Sequence, residues 1–388
     1  MKLFDNTEVA FSTKSDVALD RAYFLFKLIA HEPLVRIGKH ITQFALKSHL
    51  PVEGLIRAAV FDHFCAGTNA QESMQVVVTL SEKKVASVLD YSVEGVKAEI
   101  SFDECLENIL ETLQLSAKSP HIPFTVFKPS GFGNHLLFEK ISKQEKLSPE
   151  ESLAWGRVRS RFMKCGEIAK EIGMKLLIDA EESWIQPAVN TLVEEMMMKF
   201  NVETPIVHTT AQMYLSDKLD YLVYLKNKAE KEGFVAGVKL VRGAYIEKEN
   251  QYAEENGFKS PICSSKVATD KNFDEGWRYM IANIDQFSIY YGSHNEESTY
   301  GIIDEMKNRK INKTHPHIWF GQLYGMSDHI SFNLANEGYQ VSKYLPFGPV
   351  KDVLPYLIRR AEENTAVAGQ TIRELELIVA ERKRRKLR

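Results

Sequence analysis

Residues 205–242 read PIVHTTAQMYLSDKLDYLVYLKNKAEKEGFVAGVKLVR, and this stretch decides the fold class. Two short apolar runs, Pro205–Thr210 and Val235–Arg242, flank an amphipathic segment at Asp217–Lys231. Short apolar runs that alternate with amphipathic segments are typical of parallel strands joined by crossover helices. The stretch therefore predicts one strand–helix–strand unit of an α/β protein.

The same alternation continues on both sides of this stretch. The further predicted strands are Val85–Tyr91, Phe124–Lys128, Lys175–Asp179, Phe287–Gly292, His317–Gln322 and Val341–Leu345. The further predicted helices are Leu153–Ile172, Asn190–Phe200, Asn272–Asn283 and a long last helix from Val353 past Thr371. Eight strands with intervening helices predict a (β/α)8 barrel of the TIM type.

The predicted barrel occupies residues 81–375. Residues 1–80 have apolar positions at mixed spacings of three and four, which predicts an N-terminal helical arm. Residues 376–388 form a basic C-terminal tail. Such a cluster of basic residues is either a solvated helix end or a weak contact with anionic lipid or another protein.

Polar and ionisable residues follow almost every predicted strand. Barrel enzymes build their active sites where the strands end, so these side chains are the first candidates for a site. In chain order they are Asp90, Lys128, Asp179, Glu181, Gln212, Lys239, Arg242, His294, Asn295 and Gln322.

Bulk properties exclude several classes of protein. A net charge of -3 argues against a nucleic-acid-binding protein, because such proteins usually carry a strong basic excess. The four cysteines form no CxxC pair, so neither a disulfide framework nor a zinc site is indicated. The sequence shows no signal peptide and no run of about 18 apolar residues. These features predict a cytoplasmic protein, and we expect no metal.

Common catalytic and nucleotide-binding motifs are absent from the sequence. Gly131-Phe132-Gly133 is not completed as GxGxxG, and there is no GxxxxGK[ST] loop, HExxH motif or nucleophile elbow. A dinucleotide, if one is bound, is therefore not held by a Rossmann unit.

Arg359, Arg360 and Glu363 lie three and four residues apart on the last predicted helix. In one interpretation they form an exposed ion pair that adds little stability. In the other they form a carboxylate clamp, because two guanidinium groups can grip a carboxylate bidentately while a glutamate holds one of them. The spacing alone leaves both open.

Five motifs together resemble the proline dehydrogenase family. In the family's order they are Leu177-Ile178-Asp179-Ala180-Glu181-Glu182, Lys239-Leu240-Val241-Arg242-Gly243-Ala244-Tyr245, Phe320-Gly321-Gln322-Leu323-Tyr324-Gly325-Met326, Tyr344-Leu345-Pro346-Phe347-Gly348 and Tyr356-Leu357-Ile358-Arg359-Arg360-Ala361-Glu362-Glu363-Asn364. The resemblance runs from about Asp90 to Asn364. It implies a distorted (β/α)8 barrel that binds FAD, oxidises L-proline to Δ1-pyrroline-5-carboxylate and passes the electrons to a membrane quinone.

The resemblance also implies roles for individual residues. Asp179 and Lys239 are expected at the reacting end, with Lys239 near flavin N5. The expected proline-binding residues are Lys128, Tyr245, Leu323, Tyr344, Arg359, Arg360 and Glu363. The expected FAD-binding residues are Asp179, Ala180, Gln212, Lys239, Arg242, Gly243, Ala244, Ser293, His294 and Gln322. A pair formed by Glu94 and Arg359 is expected to close the site.

Three details refine these expectations. Tyr344 favours proline as substrate, because the similar hydroxyproline dehydrogenases have a smaller residue there. Lys239 replaces an arginine found in many members of the family. Pro129 directly follows Lys128, which puts the reach of that lysine in doubt.

Two other functions stay open from the sequence. A barrel lysine, Lys128 or Lys239, could form a Schiff base as in a class I aldolase. The barrel could also be a non-enzymatic, partner-binding module. For the dehydrogenase, the expected partners are L-proline, a quinone, a separate pyrroline-5-carboxylate dehydrogenase and, peripherally, the inner face of a respiratory membrane.

Overall fold

The computed structural model describes residues 2–29, 54, 57–92, 98–366 and 368–387, without the side chains of residues 58, 59 and 361–370. Eight strands form a closed parallel barrel in chain order. They are β1 (Ala86–Tyr91), β2 (Phe124–Phe127), β3 (Lys175–Ile178), β4 (Val207–Gln212), β5 (Ala236–Val241), β6 (Phe287–Gly292), β7 (Ile318–Leu323) and β8 (Val341–Phe347). The predicted fold and all eight predicted strands are confirmed, with ends that differ by at most two residues.

Helices precede the barrel, connect its strands and follow it. The described helices longer than one turn, in chain order, are α1 (Asp16–Ile29), α2 (Ala70–Ser81), α3 (Glu99–Ser116), α4 (His135–Ser142), α5 (Pro149–Glu171), α6 (Gln186–Phe200), α7 (Lys218–Glu232), α8 (Ile246–Glu255), α9 (Lys266–Ala282), α10 (Glu296–Asn308), α11 (Asp328–Asn336), α12 (Val350–Ala366) and α13 (Ala368–Arg384).

Three helix predictions need correction, all at the N-terminal end. Helices α6 and α9 begin at Gln186 and Lys266, four and six residues before their predicted starts. Helix α5 begins at Pro149 rather than at Leu153, because Ser148 and Glu151 form a reciprocal capping box at its N-terminus. The long last helix predicted from Val353 past Thr371 is helical at every described residue, in α12 and α13.

The chain divides into two compact units. The terminal unit consists of the described part of residues 1–94 together with His294–Glu296 and Phe320–Arg388, and the central unit consists of Gly95–Ser293 and Glu297–Trp319. Strands β1 and β8 pair within the terminal unit, and β2 to β6 pair in sequence within the central unit. The boundaries at residues 80 and 375 stay predictions.

In the terminal unit, helix α13 packs against helix α1. Leu19 and Phe26 of α1 form one apolar cluster with Leu377 and Ile378 of α13. Arg385 donates to a carboxylate oxygen of Asp16 at 3.0 Å. Further ion pairs in this unit join Arg382 to Asp20, and both Arg384 and Arg385 to Glu381. Basic residues of the predicted tail are thus partners of acidic residues of the same unit.

Gly237 in β5 leaves no room for an added methyl group. Its Cβ would lie 2.2 Å from the carbonyl oxygen of Val207 and 2.8 Å from the His208 ring. The His208 ring is fixed in turn by a 3.0 Å hydrogen bond to the Ser288 hydroxyl on β6. We expect Gly237→Ala to lower the free energy of unfolding by about 1–3 kcal/mol, the usual cost of overpacking.

The control for this prediction is Gly156→Ala in α5. A Cβ at Gly156 meets nothing within 4 Å, so alanine there should stabilise the helix by about 0.5–1 kcal/mol. Thermal unfolding followed by circular dichroism compares the two variants. Equal melting temperatures would contradict the tight packing of β5 between β4 and β6.

Candidate active site

A buried carboxylate with two lysine partners lies at the carboxyl ends of the central strands. Lys128 follows β2, Asp179 follows β3 and Lys239 is on β5. The Lys128 ammonium donates to Asp179 Oδ2 at 3.1 Å, and the Lys239 ammonium donates to Asp179 Oδ1. All three side chains are at most 16% exposed. The structure thus brings together three residues that the sequence assigned to one site.

The two lysines determine the charge of Asp179. Burial alone would raise the pKa of this carboxyl, but the ammonium groups of Lys239 and Lys128 outweigh it and hold the pKa well below its usual range. The carboxylate therefore stays ionised and is the ion-pair partner of both lysines. A buried cationic cluster can attract an anionic ligand.

This lowered pKa predicts a contribution to stability that depends on pH. Because the folded-state pKa of Asp179 lies below its unfolded value of about 4, its contribution is fully present above pH 4 and is lost as the pH falls below it. We expect Asp179→Asn to be less stable at neutral pH and to lose less stability than wild type between pH 4 and pH 2. Urea unfolding across this range measures both, and parallel curves would contradict the expectation.

Pro129 does not prevent Lys128 from reaching the cluster. Pro129–Gly131 form a single 3-10 turn directly after Lys128. The turn also places Ser130 against Glu181, whose carboxylate accepts from the Ser130 backbone N–H at 2.8 Å and from its hydroxyl at 2.7 Å. The loops after β2 and β3 are therefore joined.

Arg242, directly after β5, is anchored on several sides. It donates to Asp270 at 2.6 Å, to the Ser293 hydroxyl at 3.0 Å and to the Ser298 hydroxyl at 3.0 Å. Its guanidinium also lies 4.3 Å from the centre of the Phe273 ring. These contacts bring together the predicted FAD-binding residues Arg242 and Ser293 and fix the orientation of the arginine.

The other predicted residues of the central unit also lie at strand ends. The Gln212 amide at the end of β4 donates to the carbonyl of Glu181 at 2.7 Å, and Ala180 is buried after β3. Gly243 has φ 123°, and a Cβ there would lie 2.3 Å from the Tyr214 ring, so this turn requires glycine. Ala244 and Tyr245 lead from this turn into α8.

The arginine pair belongs to the terminal unit, on helix α12. Arg360 is 7% exposed, and its guanidinium lies 5.1 Å from the centre of the Tyr356 ring, whereas Arg359 is partly buried. Because Arg360 is buried, the interpretation of an exposed ion pair does not apply to it. Leu323 ends β7 and is partly buried, and Tyr344 on β8 is buried.

His294 and Gln322 are each fixed by a serine of the terminal unit. The Nδ1 atom of His294 lies 2.9 Å from the hydroxyl of Ser327. The side-chain oxygen of Gln322 accepts from the hydroxyl of Ser331 at 2.8 Å. The predicted clamp residue Glu363 and gate residue Glu94 lie outside the described side chains, so their roles stay predictions.

Comparison with known proteins decides the family. The family model described as proline dehydrogenase matches residues 73–373. The chain belongs to the proline dehydrogenase family. The predicted enzyme class, an oxidoreductase that acts on the CH–NH group of donors, is confirmed by this membership.

Two relatives differ in how much of their own length is similar to this chain. The chain is 34% identical over 363 residues to the carbapenem antibiotics biosynthesis protein CarD of Pectobacterium carotovorum, spanning 93% of this chain and 94% of that protein. It is 38% identical over 243 residues to human mitochondrial proline dehydrogenase 1, spanning 62% of this chain and 40% of that protein.

A solved structure with the same fold is proline utilization A from Bdellovibrio bacteriovorus, inactivated by N-propargylglycine. The TM-score is 0.73 at 20% identity, over 92% of this chain and 38% of that one. The likeness supports the barrel fold. Among the residues that the structure describes, no helix is both long and apolar enough to cross a membrane.

Sequence reasoning about the proline dehydrogenase motifs missed a buried ion cluster. Lys343 on β8 is fully buried and pairs with Asp328 at 2.8 Å, and Lys14 pairs with the same carboxylate at 3.0 Å. A lysine inside the apolar run Val341–Leu345 was the available signal, because a lysine buried in a strand needs a charged partner. Its partners lie elsewhere in the chain, so the sequence could not identify them.

Proposed function

We propose that this protein is an FAD-dependent enzyme that oxidises L-proline to Δ1-pyrroline-5-carboxylate in the catabolism of proline to glutamate. The observation that carries the proposal is the buried cluster of Asp179 with Lys128 and Lys239 at the carboxyl ends of β2, β3 and β5, within the region that matches the family model. Barrel enzymes carry their catalytic residues at these strand ends.

Cationic, aromatic and apolar side chains would hold the substrate. Arg360 and Arg359 suit a carboxylate, because guanidinium groups bind it bidentately and the burial of Arg360 strengthens the interaction. Tyr344 and Leu323 suit the apolar ring of proline. We assign the same task to Lys128, Tyr245 and Glu363, and we assign to Glu94 and Arg359 the closing of the site.

The donor set of the chain fits FAD. Lys239, Arg242, Gln212 and His294 offer cationic or hydrogen-bonding groups of the kind that a flavin ring system and a pyrophosphate require. We assign Asp179, Ala180, Gly243, Ala244, Ser293 and Gln322 to the same site. When bound, FAD would supply the chemistry by accepting a hydride from proline C5 at flavin N5.

The protein residues then have three tasks. The arginine pair fixes the carboxylate end of proline and thereby orients C5. Lys239 provides a fixed positive charge where negative charge develops on the cofactor. Asp179 holds Lys239 and Lys128 in place through their ion pairs. The proton lost from the proline nitrogen passes to solvent.

The electron acceptor and the product acceptor are further proposals. We assign the electrons to a quinone, reached through peripheral contact with a respiratory membrane. The product would be received by a separate pyrroline-5-carboxylate dehydrogenase.

A second candidate role is biosynthetic. The chain is similar over nearly its full length to a protein named for carbapenem biosynthesis. This similarity favours a role in which the same oxidation supplies an antibiotic precursor. Deletion of the gene distinguishes the roles. Loss of growth on L-proline as nitrogen source supports catabolism, and unchanged growth with loss of a β-lactam product supports biosynthesis.

The test of the proposed reaction is product formation with a soluble quinone analogue. Purified protein with L-proline should consume one quinone per pyrroline-5-carboxylate, which 2-aminobenzaldehyde traps as a coloured adduct.

A Schiff-base lysine must be an uncharged amine, whereas Lys128 and Lys239 both form ion pairs with Asp179. A colourless protein that borohydride links to a carbonyl substrate would overturn the proposal in favour of an aldolase.

A further inference from the structure

The loop between β7 and α11, residues 324–327, contains a residue in an unusual backbone conformation. Ser327 has φ 50° and ψ 43°, in the left-handed region. Residues other than glycine, asparagine and aspartate rarely adopt it, because the side chain approaches the following carbonyl oxygen. Such a conformation persists only where surrounding contacts hold it, and it often marks a functional position.

Glu374 of α13 holds the backbone of Ser327. Its buried carboxylate accepts a hydrogen bond from the Ser327 N–H. The Ser327 carbonyl accepts from the N–H of Ile330 at 3.0 Å, at the start of α11. Both backbone groups of Ser327 are therefore used.

The rest of the loop is held by buried charges of the same unit. The Lys343 ammonium donates to the carbonyl of Met326 and pairs with Asp328 at 2.8 Å. Burial would raise the pKa of Asp328, but Lys14 and Lys343 outweigh it and keep the pKa well below its usual range. His63 Nε2 lies 3.0 Å from the carbonyl of Gly325. The loop is thus anchored on both sides of Ser327.

The side chain of Ser327 connects this anchored loop to the segment after β6. Its hydroxyl lies 2.9 Å from Nδ1 of His294. Two residues later, Glu296 pairs with His329 Nε2 at 3.0 Å and with Arg373 Nε at 2.7 Å. The segment His294–Glu296 is therefore fixed to the loop at one end and to α11 and α13 at the other.

We propose that Ser327 is a positioning residue, whose hydroxyl fixes the imidazole ring of His294 for contact with FAD. The inference rests on the proposed function, in which His294 binds the cofactor. Glu374 and Lys343 hold the loop in place. The left-handed backbone of Ser327 then directs its hydroxyl at the His294 ring. Fixing the ring before the cofactor binds reduces the ordering cost of binding.

The test is the release of FAD from the holoprotein, followed by the rise of flavin fluorescence on dilution. Ser327→Ala is expected to raise the Kd for FAD by about 3- to 10-fold, the effect of one neutral hydrogen bond. Ser327→Gly, which relieves the backbone but also lacks the hydroxyl, should weaken FAD binding by a similar factor.

A double-mutant cycle separates positioning from general destabilisation. In the His294→Ala background, Ser327→Ala should change the Kd no further, because the ring that the hydroxyl fixes is gone. Ser73→Ala is the matched control, since it removes another buried hydroxyl of the terminal unit, which donates to the carbonyl of Asn69 at 3.0 Å. This variant should retain wild-type FAD affinity.

Each outcome counts for or against one proposal. A wild-type protein without flavin would overturn the proposed function. A flavin-binding wild type whose affinity is unchanged in Ser327→Ala, or is reduced equally with and without His294, would overturn the positioning role alone.

Discussion

Replacing Arg360 by alanine is expected to raise the KM for L-proline by about 30-fold or more, while FAD content stays near that of wild type. Arg360 is buried, and its guanidinium lies over the Tyr356 ring. Loss of a desolvated, charged partner typically costs about 2–5 kcal/mol, which corresponds to a factor of roughly 30 or more. Steady-state kinetics with L-proline, together with the ratio of flavin to protein absorbance, measures both quantities.

Two further variants control this experiment. Arg360→Lys keeps the charge but loses the bidentate geometry, so its KM should fall between those of wild type and Arg360→Ala. Arg278→Ala removes another arginine stacked on an aromatic ring, 4.5 Å from the centre of Trp277, and should leave KM unchanged. Loss of flavin and of activity in equal proportion in Arg360→Ala would contradict a role in substrate binding.

Replacing Lys239 by methionine is expected to slow reduction of the bound flavin by L-proline by about 100- to 1000-fold. Removing one preorganised group that stabilises developing charge has this effect in other enzymes. The variant should still fold, because Asp179 keeps Lys128 as its partner at 3.1 Å. Stopped-flow absorbance under anaerobic conditions measures the rate.

Lys239→Arg should remain within about tenfold of the wild-type rate, since arginine keeps a fixed positive charge at this position. Lys175→Met is the matched control. Lys175 lies at the start of β3, at the amino end of the strands, and donates to the carbonyl of Pro316 at 3.1 Å. Reduction of flavin in Lys239→Met at the wild-type rate would show that the lysine has no electrostatic role in the reaction.

The barrel could be predicted from the sequence because its strands are short apolar runs with polar residues at their carboxyl ends. Each run is too short for a helix, and the intervening segments have helical periodicity, so the alternation is visible without tertiary information.

Part of the candidate site could be predicted for the same reason. Asp179 and Lys239 lie at strand ends, and a parallel barrel brings neighbouring strand ends together. For the cluster of Lys14, Asp328 and Lys343, the sequence signals only that Lys343, within an apolar strand, needs a charged partner. It does not identify Asp328 or Lys14, because they lie elsewhere in the chain. The conformation of Ser327 has no sequence signal, because it is imposed by tertiary contacts.

Anaerobic titration of the purified protein with L-proline, followed by flavin absorbance, tests the central claim most directly. We predict a yellow protein whose flavin absorbance, at roughly 450 nm, is bleached completely by L-proline. Pyrroline-5-carboxylate should form in proportion to the flavin reduced. A protein without flavin, or a flavin that L-proline leaves oxidised, would contradict the proposed function.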